Sequence, residues 1–273
     1  MSGPLPLSLC VITRDAAGQI ADCLASAPFA AEMIVVDSGS EDDTVEIAER
    51  CGARVVAHAW PGFGAQKNFA VASARHDWVL CLDADERVSP ELAAAIRALF
   101  PAGAAPGTQS PAAYAMPRRN RFLGRWLAHG EGYPDWNVRL FDRRLARWTD
   151  DPVHEHVVTD APVARLRGDL LHASAESLEA YIAKQNHYTT LQAQALRARG
   201  AHASAAQLIA SPIVRFFRFY VVKLGFLDGV PGLVHIAIGS FASFLKYAKL
   251  RALAKLPAEG STRGASVVER REQ

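Results

Sequence analysis

The run Val79-Leu80-Cys81-Leu82-Asp83-Ala84-Asp85-Glu86-Arg87 carries an apolar stretch straight into two carboxylates one residue apart. In an extended backbone, side chains two apart leave the same face. Asp83 and Asp85 are therefore expected to converge just past the C-terminal end of a buried strand, where open α/β sheets bind ligands. Two hard oxygen donors there suit Mg2+ or Mn2+, and through the metal a diphosphate. The alternative is an acidic turn after a buried strand, so the rest of the chain has to decide.

Two other segments carry chemistry. Met33 to Asp37 reads as a strand delivering Asp37 to a sheet edge, ahead of Ser38-Gly39-Ser40-Glu41-Asp42-Asp43-Thr44. A carboxylate there can accept hydrogen bonds from a ribose or a base, or it can cap the turn and the next helix. Ser40 and Asp43 have the spacing of a capping box. Gly62-Phe63-Gly64-Ala65-Gln66-Lys67-Asn68 opens a helix after a third strand. Helix N-terminal amides attract anions, and Lys67 would add charge beside a phosphate; otherwise it is a solvated lysine after a glycine turn.

The elements that position these residues follow from patterning. Strands are predicted at 7–13, 33–37, 54–58 and 78–83, with helices near 17–27, 41–51, 65–74 and 90–100. Gly52 suits a helix end and Ser89-Pro90 a helix start. Strands alternating with helices imply a mostly parallel sheet with right-handed crossovers. Residues 101–113, rich in Pro, Ala, Gly and Ser, read as a connection. Residues 114–172 are strand-like, with candidates at 138–141 and 156–158. From Ser177 the pattern turns helical, with Gly200 as a stop, and 261–273 is polar and expected to fray.

Composition sets bounds. Half the residues are hydrophobic, enough for one large domain or a domain with an appendage. Residues 1–100 hold 14 acidic and 7 basic side chains, a net −7 that argues against a nucleic-acid platform there. Residues 211–257 hold 7 basic side chains and one acid, Asp228, a net +6 that suits an anionic surface. Between 212 and 256, basic residues such as Arg215, Arg218 and Lys223 alternate with Phe216, Phe217, Phe219 and Tyr220. Short helices of that kind suit the plane of a membrane, or pack on the rest of the chain with a basic outer face. No uninterrupted apolar run of membrane-crossing length is read; 224–245 comes nearest, broken by Asp228, Pro231, His235 and four glycines. The four cysteines have no Cys-x-x-Cys spacing and read as reduced thiols of a cytosolic protein. No signal peptide is read at the start.

Together, in this order, the segments resemble the family 2 glycosyltransferases of the GT-A fold. The resemblance rests on Val11-Ile12-Thr13-Arg14-Asp15, Val35-Val36-Asp37-Ser38-Gly39-Ser40 with Asp43-Thr44, Gln66-Lys67-Asn68 and Leu82-Asp83-Ala84-Asp85-Glu86. It continues through Tyr133-Pro134-Asp135-Trp136, Arg139-Leu140-Phe141, Pro152-Val153-His154-Glu155 and Phe244-Leu245-Lys246-Tyr247, which resemble the branch of lipopolysaccharide-core glucosyltransferases. At Thr13-Arg14-Asp15 the chain departs from many members, which place an aromatic before the polar residue. The resemblance implies an α/β, GT-A-type, mostly parallel sheet flanked by helices, with a C-terminal helical extension. The catalytic domain would span 1–172, with a nucleotide-sugar half at 1–100 and an acceptor half at 114–172. The helical extension would span 173–260 and the tail 261–273. A divalent cation, a nucleotide-sugar donor, a glycolipid acceptor and a place on the inner face of the cytoplasmic membrane are implied with it.

By the same resemblance Asp37 meets the nucleoside, Asp83 the ribose or metal, and Asp85 the metal. Thr13, Asp15, Lys67, Trp136 and Arg139 join them around the substrates. Inverting transfer to a hydroxyl needs a base for the acceptor proton and a Lewis acid for the leaving diphosphate. Glu155 is the first candidate base and Asp135 the second. Glu155 could instead pair structurally with Arg139 or Arg147, and His154 could orient it. A zinc site at His154-Glu155-His156 lacks further ligands at zinc-like spacing. Trp126, Tyr133 and Trp136 could stack on sugar rings or fill core. The rival readings are a sugar nucleotidyltransferase, which would show a glycine-rich basic loop where Thr13 to Gly18 stand, and a non-catalytic membrane-associated scaffold.

Overall fold

The computed structural model describes residues 3–107, 110–151, 155–173 and 177–255. Pro152, Val153, His154 and the tail 261–273 lie outside the described residues. The chain forms two compact units, 1–175 and 176–273.

In the first unit the elements are β1 Leu5–Thr13, α1 Ile20–Ala25, β2 Ala30–Asp37, α2 Thr44–Arg50, β3 Arg54–Ala57, α3 Phe63–Ala72 and β4 Trp78–Asp83. There follow β5 Glu86–Val88, α4 Pro90–Ala98, β6 Ala113–Phe122, β7 Arg125–Trp126, β8 Asp135–Asp142 and β9 Ala146–Trp148. The last are β10 Val157–Thr159, β11 Val163–Arg165 and β12 Leu170–His172. The main sheet has ten strands, in the order β3-β2-β1-β4-β8-β6-β12-β5, with β7 and β11 also on β6. The first four strands pair in parallel, as alternating strand and helix demanded. From β8 onward the sheet is mixed: β8 runs antiparallel to both β4 and β6, while β12 is parallel to β6. β9 and β10 make a separate antiparallel pair. The expected helix-flanked α/β sheet is thus observed.

The pleat assigns side chains to two cores. On one face, Leu7, Leu9 and Val11 of β1 join Leu80 and Leu82 of β4 with Ile20, Leu24, Leu92 and Ile96 of α1 and α4. On the other, Cys10, Ile12, Val79 and Cys81 meet Ala70 and Val71 of α3, Phe141 and Trp148. Cys10 and Cys81 are buried free thiols in register on neighbouring strands. Ser89 caps α4 by accepting from the Leu92 amide at 3.2 Å, with Pro90 at the first helical position. The capping box read at Ser40 does not form: Asp43 is the N-cap of α2, without a side-chain bond, and Ser40 turns to Asp37 instead.

In the second unit are α5 Leu178–Ala198, α6 Ala205–Phe217 and α7 Gly229–Lys255. A π-helical turn, Arg218–Val222, extends α6, and a 3-10 turn, Gly225–Asp228, leads into α7. Ser177 caps α5, and Gly200 follows it at φ +73°. α7 packs against α5 and α6; Lys249 donates to Asn186 and to the Thr189 and Thr190 hydroxyls at 2.6–2.8 Å. Two corrections follow. These helices are not short, and Ala205–Val222 and Gly225–Ala254 are long and apolar enough, by length and composition, to cross a membrane. Asp228 and the glycines do not break the second of these: Asp228 is buried, and the turn it closes feeds one continuous helix.

Candidate active site

Strand parity explains what Asp83 meets. It ends β4 on the face of Val79 and Cys81, the face covered by α3 and Trp148. Lys67 of α3 reaches it there, with Nζ 3.0 Å from Asp83 Oδ1 and 2.8 Å from Glu155 Oε1. Arg139 of β8 arrives on the same face and donates to Asp83 Oδ2 at 2.9 Å and Glu86 Oε1 at 2.7 Å. Arg118 of β6 stands 3.8 Å from Glu86 and binds Asp135 Oδ2 through Nε at 3.0 Å and Nη2 at 2.8 Å. Glu86 Oε2 also accepts the Asp83 amide at 3.1 Å. Lys67 and Arg139 both lie over the Trp148 ring, 4.6 and 5.4 Å from its centre.

The middle of this chain of charges is buried. The Lys67 and Arg139 side chains are each only 5% exposed and Glu86 is fully buried. Burial alone would raise the Asp83 carboxyl, but Arg139 and then Lys67 outweigh it and hold the group well below the carboxylate range. Burial would lower Arg139, yet Glu86 and Asp83 raise it further above its ordinary value. Lys67 and Arg139, both read as substrate contacts, pair with carboxylates in this structure. The reason is tertiary: their elements deliver them to the covered face of the sheet.

Asp85 goes elsewhere. β4 ends at Asp83, and Ala84-Asp85 form a turn before β5, so the pleat no longer sets their directions. Among the described residues the two carboxylates share no partner: Asp85 Oδ2 lies 2.9 Å from His172 Nε2. Register brings them together, because β12 pairs with β5 so that His172 stands opposite Glu86, and with β6 so that it stands opposite Asn120. His172 Nδ1 meets Asn120 Oδ1 at 2.8 Å. With that amide oxygen accepting, Nδ1 carries a ring proton and Nε2 is turned to Asp85. A proton or a cation can join Nε2 to the carboxylate. Burial raises the Asp85 carboxyl, but the His172 hydrogen bond and charge outweigh it and lower the group.

Among the described residues no group of three or more His, Cys, Asp or Glu could by itself hold a metal. Asp85 and His172 offer one carboxylate and one imidazole, a donor set that fits Mn2+ or Mg2+ when diphosphate oxygens and water complete the shell.

The loops after β1 and β2 are laced together. Asp37 is buried, and its Oδ2 accepts the Gly39 and Ser40 amides at 2.9 Å each. Ser40 Oγ in turn accepts the Asp15 amide at 2.9 Å, and Asp15 Oδ1 accepts the Glu41 amide at 2.8 Å. Asp15 takes a left-handed φ of +50° to do so. Asp37 thus ties the turn after β2 but does not cap α2. Thr13, at the end of β1, is buried with no hydrogen-bond partner for Oγ1 among the described residues. Gln66 of α3 ties the helix to this edge, donating to Ser38 Oγ at 2.9 Å and meeting His58 Nδ1 at 2.7 Å.

On the acceptor half, Trp136 is 38% exposed, with the Arg165 guanidinium 4.5 Å above its ring. Tyr133 donates to Asp169 Oδ1 at 2.8 Å, and Trp126 ends the β7 hairpin. Glu155 pairs with Lys67, not with the arginines considered from sequence. Sequence reasoning missed His172, Asn120, Glu86, Arg118 and Trp148 as site residues. The one available signal was His172 at the end of Leu170-Leu171, an apolar run too short to read as a strand.

Residues 8–161 match the family described as glycosyl transferase family 2. An uncharacterized glycosyltransferase of Rickettsia felis is 33% identical over 259 residues, which cover 90% of this chain and 89% of that one. The lipopolysaccharide core biosynthesis glycosyltransferase LpsC of Rhizobium meliloti is 29% identical over 253 residues, 90% of this chain and 92% of its own. Among solved structures, residues 1–349 of S. aureus TarS in complex with UDP-GlcNAc align with a TM-score of 0.45 at 14% identity, covering 91% of each chain. With more than half of its length matching the family and a relative one-third identical over nine-tenths of it, the chain belongs to glycosyl transferase family 2.

Proposed function

We propose that the protein is an inverting glycosyltransferase that moves a sugar from a nucleotide-sugar donor to a glycolipid acceptor, in lipopolysaccharide core or related envelope glycan synthesis. The observation that carries the reading is the Asp85–His172 pair beside the buried Asp83–Lys67–Glu155 chain. The relative named for lipopolysaccharide core biosynthesis supports the acceptor class. Five carboxylates in and next to this cluster face Lys67, Arg118 and Arg139, an acidic excess that favours a divalent cation.

Thr13 Oγ1, buried and without a partner among the described residues, would face the donor nucleoside, with the Asp37 and Asp15 loops shaping its edge. Asp85 and His172 would hold the cation, whose charge stabilises the leaving diphosphate. Lys67 holds Glu155 by Oε1, which orients the carboxylate, and Glu155 Oε2 takes the acceptor proton. The acceptor oxygen bonds to the anomeric carbon on the face opposite the diphosphate. The sugar–oxygen bond breaks, and its electron pair leaves on the phosphate. Trp136 and Arg165 form an acceptor-side platform. Working on a membrane-borne acceptor would place the protein at the inner face of the cytoplasmic membrane.

The test is a donor screen with UDP-, GDP- and ADP-sugars and Mn2+ or Mg2+, reading nucleotide release. One donor should respond, and chelator should abolish the response. Asp85→Asn and His172→Ala should each weaken Mn2+ binding in the presence of nucleoside diphosphate, read by calorimetry. Equal metal binding in wild type and both variants would reject the assignment of the cation.

A further inference from the structure

The second unit carries a face that glycosyl transfer does not use. α6 is properly started, with Ser204 and Gln207 forming a reciprocal cap, yet none of its residues is buried. Ile209, Ile213, Phe217 and Val221 recur every four positions and are 43–64% exposed. On a helix that spacing draws one stripe. The stripe continues past the π-helical turn. Leu224 sits in a left-handed conformation, φ +57°, where a bulky side chain is rarely found, and it is 45% exposed. Val230 beyond it is 69% exposed. An apolar surface of this extent marks an interaction site.

Charge identifies the partner. Residues 205–227 contain Arg215, Arg218 and Lys223 and no acidic residue. The first acid, Asp228, is 1% exposed. Arg215 and Arg218 both stack on the Phe219 ring, 5.5 Å away. Cations with long stems beside an apolar stripe match the headgroup boundary of an anionic bilayer. A second copy of the chain would bring like charges against like in a two-fold interface.

We propose that residues 205–230 enter one leaflet of an anionic membrane without crossing it. The stripe lies at the acyl boundary, and the three cations lie among the headgroups. Crossing by Ala205–Val222 would carry Arg215 and Arg218 into the bilayer core, against their desolvation. α7, the other helix of sufficient length, already has a partner in α5 through Lys249, and 39% of its apolar window is buried. The inference rests on the reading that the acceptor is membrane-borne.

The test uses the full chain and vesicles free of donor and acceptor. Wild type should float with phosphatidylglycerol-containing vesicles and poorly with phosphatidylcholine alone. The surface pair Ile213→Gln, Phe217→Gln should lose binding at least about tenfold, at low and high salt alike. The triple variant Arg215→Gln, Arg218→Gln, Lys223→Gln should lose it at about 0.1 M salt and differ little from wild type at about 0.5 M, where charges are screened. A fluorophore on Ile213→Cys should be quenched more by a nitroxide near the headgroup than by one at the acyl-chain end. Stronger quenching from the chain end means a crossing helix and overturns the proposal. So does vesicle binding untouched by the apolar pair, or a dimer in light scattering that the pair dissolves while no form binds vesicles. Nucleotide-sugar turnover on a water-soluble acceptor fragment, unchanged in the apolar pair, separates the two readings: either can fail while the other stands.

Discussion

Glu155 and Lys67 meet at 2.8 Å, and that contact divides their roles. A lysine bound to two carboxylates is a positioning residue, and in the proposed reaction the carboxylate it orients is the base. Glu155→Gln keeps the volume and removes that proposed base. Donor binding should stay near wild type while transfer falls by about 100- to 10,000-fold in single-turnover assays. Asp135→Asn, at the second candidate base, should cost less; the reverse order would move the role to Asp135. The depressed Asp83 carboxyl gives a second prediction at this scale. Its folded value lies below the unfolded one of about 3.9, so its pairing stabilises the fold above about pH 4 and is lost as pH falls through the folded value. Thermal melts of Asp83→Asn should show a flatter acid limb than wild type, and identical limbs would remove the linkage.

At the scale of elements, α3 is the part on which the site depends. It brings Lys67 to Asp83, Gln66 to the β2 edge, and Asn68 to the Trp148 backbone in two bonds of 3.0 Å. Its close seat needs Gly64: a Cβ there would lie 1.9 Å from the Thr149 carbonyl oxygen. Gly64→Ala should therefore push the helix away and lower both Tm and turnover, while Gly18→Ala, with nothing within 4 Å, should be silent in the same assays. β8 contributes the second support. Arg139→Met leaves Glu86 buried and Asp83 with one partner fewer, and urea denaturation should show a loss of about 3–5 kcal/mol, the usual result of breaking a buried ion pair. A loss under about 1 kcal/mol would mean the pair relaxes onto Arg118 or solvent.

Across the whole molecule, charge is divided along the chain. The acidic first hundred residues contain the carboxylates proposed to seek a metal, and the basic stretch 211–257 contains the surface proposed to meet anionic lipid. Each basic residue near such a surface gains about 1 kcal/mol, so Arg215, Arg218 and Lys223 together are worth on the order of 100-fold in local concentration at low salt. Raising ionic strength should raise the apparent KM for an acceptor embedded in anionic vesicles and leave the KM for the nucleotide sugar nearly unchanged. Parallel changes in both constants would point to a salt effect on the active site instead.

The sequence by itself determined what is local. Alternating strand and helix patterns predicted the four parallel strands and their helices within a few residues, because burial on both faces leaves long apolar runs. Ser89-Pro90 and Ser177 marked helix starts through bonds that span only three residues. The acidic motif and the family resemblance rested on contiguous residues in the same way. Only the tertiary structure decided partners. Lys67 and Glu155 are 88 residues apart, and Arg139 and Asp83 are 56 apart. No periodicity encodes such meetings; they follow from which face of β4 α3 covers and where β8 pairs. The same holds for His172, brought to Asp85 by the register of a three-residue strand. The parity of two that would aim Asp83 and Asp85 together holds only while the strand continues, and β4 ends at Asp83.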